Sequence, residues 1–217
     1  MSSSRDRQVE MQFEDFAQQR EAVSLGMWTF LATEALFFGG ILLGYATLRL
    51  THHGAFVEAS GHLDVTLGTV NTAILLGSSL FMALAEHSVS RGSRGKTIGF
   101  LLLVLLLATA FLGVKAYEYH HEWTAERVPV LNWSHEGAHG DGMQLFFFLY
   151  FSMTGLHATH MLAGMGVMIA LIRKLKRGSV GGHRPLPVEM TALYWHFVDI
   201  VWIFLFPLLY LIGGLEK

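Results

Sequence analysis

The run "FLLLVLLLATAFLGV" (100–114) contains no charged side chain and a single hydroxyl, Thr109. Few environments accept such a stretch, because nothing in it tells one helix face from another. It lies inside a longer apolar segment, 97–121, and four more segments of comparable length occur at 23–49, 67–88, 143–173 and 188–214. Each exceeds the roughly 20 residues that a helix needs to cross a bilayer. In hydrocarbon every backbone N–H and C=O must be satisfied internally, so the expected spans are helices. Composition agrees. Only 15% of residues are charged, against roughly 25% in soluble domains. The expected fold is an all-α integral membrane protein. One five-helix membrane domain, 23–214, follows a polar N-terminal segment, 1–22, and no internal repeat is visible.

The basic residues orient the bundle. Arg5, Arg7 and Arg20 precede the first span; Arg91, Arg94 and Lys96 separate the second from the third. Arg173, Lys174, Lys176, Arg177 and Arg184 separate the fourth from the fifth. These eleven fall on one side, against Arg49, Arg127 and Lys217 on the other. Cytoplasmic loops carry the excess of Lys and Arg. The N-terminus is therefore expected in the cytoplasm and the C-terminus on the periplasmic or outer side, as five spans require. The N-terminal stretch lacks the apolar core and cleavage site of a signal peptide. No basic stripe with interleaved aromatics marks a nucleic-acid partner, and the absence of cysteine excludes a disulfide, a thiolate metal site and a cysteine nucleophile in this chain.

The outer loops, "THHGAFVEASGHLD" and "HHEWTAERVPVLNWSHEGAHGD", are rich in histidine and acid. A surface metal site is conceivable there, but the spacings match no zinc pattern, and solvated polar loops are the simpler expectation. Trp28, Tyr45, Tyr117, Tyr119, Trp123, Trp133 and Tyr194 stand near span ends, as an interfacial aromatic belt would have them.

The polar residues inside the spans need a separate account. At about 1.5 Å per residue, Glu34 and Asp199 lie about 16 Å deep. His157, His160 and His196 fall near the same level, so the five could share one layer. Such groups cost about 2.5–3.5 kcal/mol each on insertion scales and call for a partner or a role. His157 and His160, like His196 and Asp199, are three residues apart and lie along one helix face. Gly155, Thr159 and Ala163 recur every four residues, as do Gly40 and Gly44, a spacing that lets another helix approach closely. Three readings stay open on the residues alone. One is an intramembrane metal centre of histidines and a carboxylate. Another is a proton or ion path of a transporter, although repeated halves are absent and Pro207 is the one proline inside a span. The third is structural, with the groups hydrogen-bonding across helices. Lys115 and Glu118, i,i+3 near the outer end of the third span, can pair with each other, or Lys115 can snorkel outward.

Longer motifs add a resemblance. "YFSMTGLHATHMLAGMGVMIALIRKL" (150–175) and "ALYWHFVDIVWIFLFPLLYLIGG" (192–214) resemble the last two helices of subunit III of haem-copper terminal oxidases. "GMWTFLATEALFFGGILLGY" (26–45) is similar to that family's buried-glutamate helix, and "VNTAILLGSSLFMALA" (70–85) and "FLGVKAYEY" (111–119) to its next two. The likeness runs from about residue 20 to 214 and points to the short, five-helix bacterial form.

The resemblance implies an accessory subunit of an aerobic respiratory oxidase in the bacterial cytoplasmic membrane. It would have no redox centre of its own and would lie against subunit I, which holds the haems and a copper ion. Subunit II would belong to the same complex. It further implies bound phospholipid, support for proton uptake during oxygen reduction, and cytochrome c or a quinol as electron donor to the partners. By residue match, Arg173 contacts a lipid phosphate, and His157, His160, Trp195 and His196 belong to the lipid cleft and core. Glu34 matches the family's buried glutamate. Asp199, Lys115 and Glu118 are expected as buried structural groups, Lys115 standing where many members have Gln. An accessory subunit of nitric oxide reductase is a further relative to consider, and an autonomous transporter a more distant one.

Overall fold

A computed structural model describes residues 13, 15–134, 140–177, 186–211 and 213. They form six helices: α1 (Phe16–Thr51), α2 (His53–Ser60), α3 (Val65–Ser90), α4 (Arg94–Thr124), α5 (Gly140–Lys176) and α6 (Leu186–Tyr210). All but α2 are long and apolar enough to cross a membrane. Each extends past the apolar stretch read from the sequence at one end or both, since polar residues at the interface continue a helix without cost to its hydrogen bonds. The 37 residues of α5 make a rod of about 56 Å.

The chain divides into two compact units, Met1–Gly40 and Ile41–Lys217. The described part of the first is helical from Phe16 onward, capped by Asp15, whose Oδ1 accepts from Gln18 N at 2.7 Å. Thr29 and Thr33 return their hydroxyls to the carbonyls of Leu25 and Phe30, so neither needs a partner outside its own helix.

In the second unit, α3 packs most extensively on α4 and then on α6; α5 packs on α6, α2 and α4. The α3–α4 pairing follows from a tight turn. Gly92 has φ 71°, and Ser93 N and Gly92 N reach back to Ser88 O and Val89 O. A left-handed residue that returns its neighbours' N–H groups to the last turn ends a helix sharply. At the other end of α3, Asp64 Oδ1 accepts from Thr66 N and Leu67 N at 2.8 and 3.1 Å, filling two of the orphan donors of a helix start.

The segment expected as a solvated outer loop is instead partly the helix α2, which buries Ala55, Phe56, Ala59 and Ser60. Phe56 packs edge-on to Phe146 of α5 at 5.5 Å and against Tyr45 at 5.4 Å. Tyr45 is therefore no belt residue. It is fully buried and donates to Leu208 O at 2.6 Å. Ser60 donates to Leu209 O at 2.8 Å. The last carbonyls of α6, which no helix turn can satisfy, are thus capped by α1 and α2. Space is tight here: a Cβ on Gly213 would lie 2.7 Å from Gly61 N. Trp28, Tyr117 and Trp123 are at least half exposed, where a belt would have them.

The small-residue stripe on α5 also moves. Thr159 and Ala163 are exposed, and the close approach is made by Gly164, whose Cβ would meet the Trp195 and Tyr194 rings at 3.0 Å. A Cβ on Gly44 would meet none of the described residues within 4 Å.

Candidate functional site

The best-connected polar group of the membrane region is at the α2 end of α4. Lys115 and Glu118 are 5% and 3% exposed. Lys115 does not snorkel. Its ammonium donates to Glu118 Oε2 at 3.0 Å, to the Tyr150 hydroxyl of α5 at 3.1 Å and to the Tyr210 hydroxyl of α6 at 2.7 Å. An ammonium has three protons to give, and all three are placed. Tyr210 donates in turn to Glu118 Oε1, so both carboxylate oxygens are filled. The cation also lies 4.9–5.5 Å from the ring centroids of Tyr119, Tyr150, Trp202 and Tyr210, within the range of cation–π attraction. Beside it, Tyr119 and Thr154 share a short hydrogen bond, and Thr154 returns its proton to Tyr150 O at 2.6 Å. One lysine fastens three helices.

One turn further along α4, Glu122 is 1% exposed and accepts from Arg127 Nη1 at 3.2 Å. The second outer loop is therefore partly folded inward, not solvated throughout. Asn132 ties it back by donating to Trp123 O at 2.7 Å. Residues 135–139 of that loop lie outside the described residues. A cavity of about 110 Å³ opens beside this end of α4, lined by His62, Asp64, Leu67, Tyr117, Glu118, His121 and Glu122.

The mid-membrane residues are arranged differently. His157 touches Trp202 and Phe111, with ring centroids at 5.2 and 5.7 Å. His160 directs Nδ1 to Leu156 O of its own helix at 2.9 Å and accepts on its backbone from Tyr194 at 2.9 Å. Because Trp202 lies one turn beyond Asp199 and Tyr194 just before His196, these four residues stand at overlapping heights on α5 and α6. They do not converge. Both ring nitrogens of His157 and both carboxylate oxygens of Asp199 are buried without a hydrogen-bond partner among the described residues. His196 is half-buried and shares a 2.8 Å hydrogen bond with Ser79 of α3. Glu34 belongs to the Met1–Gly40 unit, on α1. Among the described residues no three histidines or carboxylates come together as metal ligands.

Trp195 is fully buried and donates to Ser78 Oγ at 2.9 Å, and Trp202 donates to Thr72 Oγ1 at 3.1 Å. Arg173 stands exposed in the last turn of α5 beside Lys174 and Lys176, where basic side chains also suit the helix dipole. The sequence reading passed over Tyr150, Tyr210, Thr72, Ser78 and Ser79. For two of the α3 hydroxyls a signal existed: Thr72 and Ser79, seven residues apart, fall on one face of an apolar helix, with Ser78 about 100° around from Ser79.

The sequence matches the model of a family described as cytochrome c oxidase subunit III over residues 5–214. Similar proteins include the cytochrome bo(3) ubiquinol oxidase subunit 3 of Pseudomonas aeruginosa, 31% identical over 88% of this chain and 85% of that one. The cytochrome c oxidase subunit 3 of Corynebacterium diphtheriae is 33% identical over 88% of both chains. The heme-copper oxidase subunit I+III of Aeropyrum pernix is 31% identical over 89% of this chain and 23% of its own length.

Proposed function

The chain belongs to the cytochrome c oxidase subunit III family, and on that premise we propose that it works as the accessory subunit of an aerobic haem-copper oxidase in the bacterial inner membrane, N-terminus in the cytoplasm. It lies directly against subunit I, with subunit II in the same complex. A relative named as subunit I+III supports the first contact, since covalent fusion suits chains that work as neighbours. Haems and copper belong to the partners.

The observation that carries this reading is how the ionisable residues of the membrane are used. Lys115 and Glu118 hold helices together, and among the described residues His157, His160, His196 and Asp199 do not gather as metal ligands. A chain so arranged supports a neighbour's chemistry more readily than it performs its own. Arg173 serves as a phospholipid ligand at the cytoplasmic end, where a guanidinium can take a phosphate bidentately. The half-buried His160 and His196 shape the helix surface beneath the bound lipid, with the buried His157 and Trp195 behind it, and the chain supports proton uptake by subunit I. The donor to the complex is cytochrome c or a quinol; relatives named for both match equally well.

Isolation from native membranes in mild detergent tests this, with a reduced-minus-oxidised spectrum and mass spectrometry of the co-purifying chains. Haem bands and a large multi-histidine partner are expected, and the second partner names the donor. A colourless chain that purifies alone overturns the reading. In the intact complex, R173A is expected to lower the phospholipid retained per complex.

A further inference from the structure

We propose that Glu118 is a proton-exchange site linking the aqueous phase at the α2 end of the bundle to the buried Lys115. Two separate observations meet at this one residue. On one side Glu118 lines the 110 Å³ cavity, whose rim residues His62, Asp64, Tyr117 and His121 are exposed. A polar cavity of that size has room for a few waters. On the other side the carboxylate is bonded through Oε2 to Lys115 and through Oε1 to Tyr210. Few groups in a membrane protein face both water and a hydrogen-bonded cluster within the apolar interior.

The step this permits keeps charge and protons in balance. A proton passes from Lys115 Nζ to Glu118 Oε2 along their 3.0 Å hydrogen bond. The products are a neutral amine and a neutral acid, which relieves the interior of two charges. Glu118 then releases that proton to water in the cavity, leaving one negative charge on the cluster, and a proton from the same water returns by the same route and restores the ion pair. Neither Tyr210 nor Tyr150 need lose its own proton, because each can accept from Lys115 in either state. The charged and titratable groups facing Glu118 are Lys115, Tyr119, His121 and Glu122 on α4, Tyr150 on α5, Tyr210 on α6, and His62 and Asp64 between α2 and α3, with Arg127 behind Glu122. The rim therefore offers two imidazoles, His62 and His121, the Tyr117 hydroxyl and the Asp64 carboxylate to relay protons toward one carboxyl.

The test uses the intact complex in vesicles. Infrared difference spectra are recorded after a pH jump on one face of the membrane. A cysteine at position 53 (H53C), the one thiol this chain would carry, reports by impermeant maleimide labelling which face the α2 end occupies. The expected result is a protonated-carboxyl band, sensitive to D2O, that rises first when the jump is made on the labelled face. It is lost in E118Q and retained in E122Q. L67W fills the cavity from α3 while leaving Lys115 and Glu118 unsubstituted and should slow the rise several-fold, so the test stands even if E118Q fails to assemble. A band that survives E118Q, rises as fast in L67W, responds first from the opposite face, or is absent from the unmodified complex overturns the proposal.

Discussion

Two pairs of ionisable residues in this bundle have the same spacing and opposite fates. Lys115 and Glu118 are i,i+3 on α4 and bond to each other at 3.0 Å. His196 and Asp199 are i,i+3 on α6, yet His196 bonds Ser79 of α3 at 2.8 Å, and the buried Asp199 oxygens, with Ser79 as polar neighbour, make no close hydrogen bond among the described residues. Side-chain length and neighbours separate the cases. A lysine and a glutamate can span one helical turn, and two tyrosines complete the lysine's valence from α5 and α6. An imidazole and a short aspartate reach less far, and the helix they face offers small hydroxyls. Shared spacing places two groups on one face. Whether they close into a unit depends on what the adjoining helices bring.

The largest test of that contrast is K115M. It leaves the Glu118 carboxylate buried with one partner gone, and breaking a buried ion pair in this way costs about 3–5 kcal/mol. Thermal or denaturant unfolding in detergent would read the loss. The double variant K115M/E118L should recover most of it, because the cost belongs to the orphaned charge. Equal losses in the single and double variants would mean that the pair is not closed. Next in size is S78A. It strands the fully buried indole N–H of Trp195, and an unsatisfied buried donor costs about 1–3 kcal/mol. S79A should cost less, about 0.6 kcal/mol, the average for an interhelical hydrogen bond in a membrane, because the half-buried His196 can find another partner. If S79A matched S78A, His196 would be held as firmly as Trp195.

These particulars show how far the sequence could be read. The apolar runs gave five spans because length and hydropathy are local properties; α1, α3, α4 and α5 cover four of them, and α6 covers 188–210 of the span read as 188–214. Helix α2 escaped because its eight residues lie in a histidine-rich connection whose apolar face, Ala55, Phe56 and Ala59, is too short to register as a period. Tyr45 read as a belt aromatic because position near a span end is visible in a sequence, whereas the Leu208 carbonyl it caps is 163 residues away. Separation along the chain, 35 and 95 residues from Lys115, likewise hid Tyr150 and Tyr210. Nothing within α5 or α6 says that their hydroxyls meet one lysine of α4. In the stripe Gly155, Thr159, Ala163, the last two are exposed and Gly155 nears the Tyr119 hydroxyl; the close approach to α6 is at Gly164, where the Trp195 ring arrives.

The smallest expected effect is the sharpest on the contrast. D199N replaces a carboxyl whose two oxygens are buried outside close hydrogen-bond distance of the described residues, with the Ser79 hydroxyl as its polar neighbour. An ionised carboxylate is unfavourable in such a place, so the aspartate gains nothing there that an amide of the same shape would lose. The stability of the chain should change by less than the ~0.6 kcal/mol of one intramembrane hydrogen bond, far below the consequence of K115M for the folded population. The measurement is made on the chain alone and again in its complex. No change in either leaves Asp199 a tolerated polar residue. A loss confined to the complex would show that assembly brings a partner group to this face, and the two i,i+3 pairs would then differ only in which chain completes them. A loss in the isolated chain as large as that of K115M would remove the contrast, placing both pairs among the fastenings of the bundle.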